Sequence, residues 1–277
     1  MDLKITLDRK QDSSFEINIT VPAEKVIQAE KEILKKESGN VEVDGFRKGK
    51  VPLEIAEKKL DPRRIYQGLI QKLASEAYLE AVKEYNLNPV VPPKVIVVSA
   101  EKGKDWKIKI TSCEIPEIDL AGLEEEIKKI NAKSKIWTPG KESQKPEKEG
   151  DEQREESIQK IITLIVKTVK VNLPEILLEH ELNGKLTDLV DQIQKVGLTV
   201  DQYLTSKNMT IEQLRQQYRL QIEAGWKIDL SLEKVADKNK IVVSPEETEK
   251  YQKTKINPYL AARIIRRDKA LEYLISL

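Results

Sequence analysis

Cysteine, histidine and phenylalanine are nearly missing from this chain of 277 residues, which holds one Cys, one His and two Phe. A single thiol, Cys113, excludes an internal disulfide. One His (His180) and one Cys cannot form a His/Cys zinc cluster, and neither a metal nor a cofactor is expected. Cys113 alternates with strand residues and has no histidine near it in sequence, so it reads as a core residue rather than a nucleophile. His180 falls on the polar side of a helix and reads as solvated. Neither G-x-S-x-G nor G-x-G-x-x-G occurs, and carboxylates are spread too evenly for one pair to stand out as acid and base. No catalytic residue is assigned. Neither sign of charge dominates: 48 Lys and Arg stand against 47 Asp and Glu, whereas a general nucleic-acid binder carries a basic excess. No stretch nears the roughly 20 apolar residues of a membrane span. Met1–Leu7 alternates polar and apolar residues, unlike a signal peptide, and the cytosol is the expected compartment.

What is abundant is charge. Charged residues make up 34% of the chain and aromatics 5%, a surface-rich composition suited to long exposed helices. Residues 2–8 and 14–20 read as a strand hairpin, with Leu3, Ile5 and Leu7 sharing one face and Phe15, Ile17 and Ile19 another. A helix is predicted from Pro22 to about Lys36, carrying Val26, Ile27, Glu30, Ile33 and Leu34. A short one follows over Pro52–Leu60. Asp61 and Pro62 supply a cap and a first turn for a helix to about Tyr85, lined by Ile65, Leu69, Leu73, Tyr78 and Val82. Val95–Ser99 and Trp106–Cys113 complete an α+β domain over residues 1–115. Residues 116–156 hold a charged helix (Leu123–Ile130) and a polar stretch, Asn131–Glu156, that reads as a flexible linker. Residues 157–277 read as an all-α domain. Its helices begin at signals of the type Pro174, Thr199 with Gln202, Thr210 with Gln213, and Ser244 with Glu247, the last three being capping boxes. The final helix carries Leu260, Ile264, Ile265, Leu271 and Leu274. Arg263, Arg266 and Arg267 form a small basic cluster that reads as solvated.

One stretch stands apart from this pattern: Asp44, Gly45, Phe46, Arg47, Lys48, Gly49, Lys50, then Val51 and Pro52. The two glycines read as bends of a protruding tip, and Pro52 starts the next helix. Two readings of Phe46 stay open from composition. It either tucks back into the domain or serves as an apolar anchor ringed by cations, the pattern of a docking hot spot. A phosphate loop is a poor fit, because the glycines are one residue too close and Val51 stands where a hydroxyl is needed.

Gly-Phe-Arg-Lys-Gly-Lys-Val-Pro, preceded by Val41 and Val43, resembles the ribosome-binding signature of the bacterial trigger factor family. The resemblance covers the N-terminal half. It continues more weakly through the helical half, at Leu-Pro-Glu from Leu173 and at Gly-Leu-Thr-Val-Asp-Gln-Tyr-Leu from Gly197. It implies an α+β ribosome-binding domain followed by a helical body with two arms around a cradle. It implies an ATP-independent chaperone with Asp44 to Lys50 and Pro52 as its ribosome-binding residues. The implied partners are the large ribosomal subunit near the exit tunnel (protein and rRNA), nascent and unfolded polypeptides, and a second copy of the chain as a homodimer; no membrane is implied. The family usually inserts a prolyl-isomerase domain at the junction occupied here by Asn131–Glu156. That stretch has no core, and Phe15 and Phe46 both precede it, so the isomerase domain is read as absent. The alternatives are a prolyl isomerase and an extracytoplasmic chaperone that shares only the helical architecture.

Overall fold

The computed structural model describes residues 3–38, 55, 59–134, 147–252 and 257–277. Backbone contacts divide the chain into two units, Met1–Ile115 with Pro174–His180, and Pro116–Leu173 with Glu181–Leu277. The architecture is α+β followed by all-α.

The first unit holds strands β1 (Lys4–Arg9), β2 (Ser14–Val21), β3 (Lys94–Ser99) and β4 (Trp106–Cys113), with helices α1 (Ala23–Ser38) and α2 (Pro62–Glu84). The sheet is antiparallel in the order β1-β2-β4-β3. Register explains its core. Ile5 pairs with Ile19 and Leu7 with Ile17, so the apolar sides of the hairpin strands form one sheet face. Ile17 in turn meets Ile110, Ile19 meets Ile108, and Val21 meets Trp106. Phe15, Ile17, Ile19, Ile108 and Ile110 are wholly buried beneath the helices, and each contributes about 1.5–3 kcal/mol through burial. The polar residues between them face out, where Glu16 pairs with Lys10 (2.5 Å) and Lys109 (2.6 Å). Hydrogen bonds from these two ammonium groups hold the Glu16 carboxyl below the usual carboxylate range.

Asp61 accepts a hydrogen bond from the Arg63 N–H at 2.9 Å and Pro62 occupies the first turn of α2, as the sequence predicts. Ile65, Leu69 and Leu73 are buried as expected, but so are Ala74, Ala77 and Ala81. Those alanines let the helix lie close on the sheet. On α1 the expected stripe needs correction: Val26, Ala29 and Ile33 are buried, whereas Ile27 is exposed.

The second unit contains α3 (Leu123–Ser134), α4 (Glu147–Thr168), the greater part of α5 (Glu175–Lys195), α6 (Val200–Ser206), α7 (Ile211–Lys238), α8 (Pro245–Gln252) and α9 (Pro258–Ser276). All three capping boxes form. The Thr199 hydroxyl accepts from Gln202 N–H (3.2 Å) while the Gln202 amide accepts from Thr199 N–H (2.9 Å), and Thr210 with Gln213 repeats both distances. Ser244 N–H donates to the Glu247 carboxylate at 2.8 Å, and Ser244 Oγ accepts from Glu247 N–H at 3.4 Å. Gly197, just past the end of α5, takes φ 73°, a conformation glycine adopts without a Cβ clash. One core joins Ile127, Ile161, Ile165, Leu230, Val235 and Leu274; a smaller one gathers Leu189, Ile193 and Leu214.

The stretch expected to be a flexible linker is partly helix. α3 runs on through Asn131 to Ser134, and α4 starts at Glu147. Asn131 is buried, and its side-chain amide donates to the Leu274 and Ile275 carbonyls at 3.2 and 3.3 Å. A polar residue can be buried when it satisfies carbonyls that helix geometry leaves open. Leu260, expected on the apolar side of the last helix, is exposed; Ala261, Ala270 and Leu274 form its buried seam.

Candidate functional site

Asp44, Gly45, Phe46, Arg47, Lys48, Gly49, Lys50 and Pro52 lie outside the described residues. Of the short helix expected over Pro52–Leu60, Ile55 and Lys59 are described and helical, and Leu60 is buried. The frame that carries the stretch is described on both sides. α1 ends at Ser38, whose hydroxyl donates to the Lys35 carbonyl at 2.9 Å. α2 begins at its Asp61 cap. The two helices pack directly on each other. At Gly68 a Cβ would sit 3.4 Å from Ile33 Cγ2, so the bare backbone sets how near they come. Lys72 of α2 pairs with Glu32 of α1, and Arg64 with Glu37 at 3.2 Å. The Lys72 ammonium holds the Glu32 carboxyl below its ordinary range.

A second feature of the same unit is a groove of about 560 Å³ between α2 and β3. Ile70, Ala74, Tyr78 and Leu79 form one wall, Pro93 and Val95 the other, and Ile110 lies between. Leu79 is 58% exposed and Val95 39% exposed.

No group of three His, Cys, Asp or Glu suited to a metal is present among the described residues. His180 is exposed. Cys113 is wholly buried, and burial pushes its thiol up to about 11. Because the thiolate is the reactive form, native protein at pH 8 is expected to resist alkylation. Cys113 should react with iodoacetamide only after denaturation, and rapid labelling of the folded protein would contradict its placement in the core. The arginine cluster, expected to be solvated, is half-buried and paired with carboxylates. Arg263 pairs with Glu233, Arg266 with Asp237 and Arg267 with Asp229, tying α9 to α7. Trp106 is buried with its ring centroid 5.4 Å from that of Tyr66, and Trp226 is half-buried against the helical core. Trp137 lies outside the described residues.

The helical unit exposes apolar side chains at several places. Tyr259 is 80% exposed, Val242 77% and Val196 70%, with Leu198 and Leu220 also exposed. They are spread over several helices and connections rather than gathered in one pocket. No described helix is long and apolar enough to cross a membrane.

The chain matches the model of the bacterial trigger factor protein over residues 3–138 and that of the bacterial trigger factor C-terminus over residues 141–260. This chain belongs to the trigger factor family. The trigger factor of Staphylococcus epidermidis is 41% identical over 122 residues, covering 43% of this chain and 28% of its own length. That of Staphylococcus carnosus is 41% identical over 130 residues, covering 46% and 29%. The chain thus spans under a third of the length of the curated trigger factors it matches. A solved chain from work on promiscuous substrate recognition in folding and assembly activities of the trigger factor chaperone covers 99% of both chains, with a TM-score of 0.65 and 15% identity. That likeness supports the fold. The N- and C-terminal trigger factor matches nearly abut, at 138 and 141, leaving no length of chain between them for an inserted domain, and no isomerase match is found.

Sequence reasoning missed the groove and Asn131. Val95-Ile96-Val97-Val98 gave a strand signal, but only coverage by α2 tells which valines stay open. Asn131 sits four residues after Ile127 on the buried face of α3, a spacing that marks it as inward-facing.

Proposed function

We propose that the protein is an ATP-independent, ribosome-associated chaperone that holds nascent and unfolded polypeptides near the exit tunnel and has no isomerase activity. Phe46 fills an apolar niche on the large ribosomal subunit, and Arg47 and Lys48 meet acidic groups or phosphates of ribosomal protein and rRNA. Asp44, Gly45, Gly49, Lys50 and Pro52 shape the tip. The compartment is the cytosol, and a second copy of the chain is a further partner. The observation that carries this reading is the scatter of exposed apolar side chains over charged helices in a trigger factor chain. Each such contact is weak, but several acting along one tethered client raise the overall affinity by effective concentration. Holding exposed apolar segments lowers the population free to aggregate.

The test is aggregation of a chemically denatured client on dilution, followed by light scattering. A stoichiometric amount of the protein, without nucleotide, is expected to suppress most of the scattering. A proline-peptide assay on the same sample should proceed at the uncatalysed rate. Scattering equal to that in buffer would remove the chaperone reading; catalysis above background would restore the isomerase alternative.

A further inference from the structure

We propose that the outer edge of β3 and the groove beside it take up an extended, uncharged segment of another polypeptide as an added strand. This rests on the chaperone reading above and adds a client site in the α+β domain.

The two edges of the sheet differ. β1 and β3 are its outer strands, and among the described residues β3 pairs on one side only, with β4. An edge strand presents a row of unpaired N–H and C=O groups, and proteins blunt such edges with charge. β1 does so, carrying Lys4, Asp8 and Arg9. β3 does not: after Lys94 it reads Val95-Ile96-Val97-Val98-Ser99. Ile96 is exposed and Val98 is 61% exposed. The pairing with β4 is regular from Lys94 to Val97 and shifts between Val97 and Ser99. The regular run is the part an incoming strand can match.

The groove supplies the second half of the site. Val95 pairs with Ile110 and Val97 with Ile108, so both valines lie on the core face of the sheet. That face runs out past α2, which leaves Val95 and Leu79 open to water. A strand added to β3 would place every second side chain over this opening, against Ile70, Tyr78, Leu79 and Val95. The polar lining consists of Gln67, Gln71 and Ser75, and no lining residue is charged. In a chain that is 34% charged, that neutrality selects a segment with no charge on its inward side. Charged side chains would lose hydration there without a partner. Together, free backbone groups and a neutral apolar trough specify an extended peptide rather than a helix or a small molecule.

The experiment is fluorescence anisotropy on the full chain. The probe is a fluorescein-labelled peptide of alternating Val and Thr, with a control in which Asp replaces every second Val. The parent protein is expected to bind the first and not the second. The pair Leu79→Glu and Val95→Glu should raise Kd roughly tenfold, in the range of a hot-spot loss, while Ile27→Glu, at an exposed position of α1, leaves it unchanged. Both groove positions are exposed, so circular dichroism should match the parent; Leu79→Gln alone gives a milder variant with a smaller loss. Undiminished binding by the double variant overturns the proposal. So does failure of the parent to bind, coupled to a self-association in sedimentation equilibrium that the double variant abolishes, which would make the occupant a second copy. If the double variant loses no light-scattering activity and the parent binds no peptide, this site is wrong and the chaperone reading stands. If neither parent assay responds, both fail.

Discussion

Changing Phe46, Arg47 and Lys48 together to Ala is expected to take the protein out of the ribosomal pellet while leaving its fold intact. One aromatic and one arginine of the hot-spot type each cost about 2 kcal/mol or more when truncated, roughly thirtyfold in Kd per residue. The lysine adds a charge contact that salt weakens. The fold should survive because the described core of the α+β unit rests on Phe15, Ile17, Ile19, Leu69, Leu73, Ile108 and Ile110, none of them near this stretch in sequence. The measurement is co-sedimentation with purified ribosomes at two salt concentrations, alongside thermal unfolding. A triple variant that still pellets like the parent shows that another surface makes the contact. One that loses both binding and its melting transition shows that Phe46 belongs to the core.

Leu274→Ala should destabilise the helical unit by about 2–5 kcal/mol, the cost of a buried leucine plus the cavity left behind. Leu274 is wholly buried in the core shared by α3, α4, α7 and α9. Its carbonyl also accepts from the buried Asn131 amide. Asn131→Ala leaves that carbonyl and its neighbour short of a donor, at about 1–3 kcal/mol. The two residues touch the same turn, so the double variant should lose less than the sum of the singles. Urea unfolding monitored by far-ultraviolet circular dichroism reads all three. A Leu274→Ala midpoint equal to the parent's would mean that the last turn of α9 is not part of the cooperative core.

Local chemistry made much of this fold legible. Asp61-Pro62 and the three capping boxes start helices because a side-chain oxygen and a locked φ act within one turn. Alternation placed Phe15, Ile17 and Ile19 on one side of β2. What stayed hidden depends on partners far away in the chain. Nothing around Arg263, Arg266 and Arg267 reveals Glu233, Asp237 and Asp229 some thirty residues upstream. The alanines of α2 carry little apolar surface, so a search for large side chains passes over the seam that seats the helix. Of the candidate site, residue chemistry singles out the Phe46 stretch as a proposal, and that stretch lies outside the described residues. The open side of β3 becomes visible only once α2 is seen to stop short of Val95.

The smaller helical core, with Leu189, Ile193 and Leu214 as its buried residues, has a kinetic consequence. α6 buries no residue fully; Tyr203 and Leu204 pack half-buried on this core, and the box at Thr199 starts the helix. Opening this corner exposes little apolar surface, so its amide protons should exchange well before those of the body. Under the proposed function, a client arriving there would meet a surface that can rearrange around it faster than the rest of the molecule unfolds.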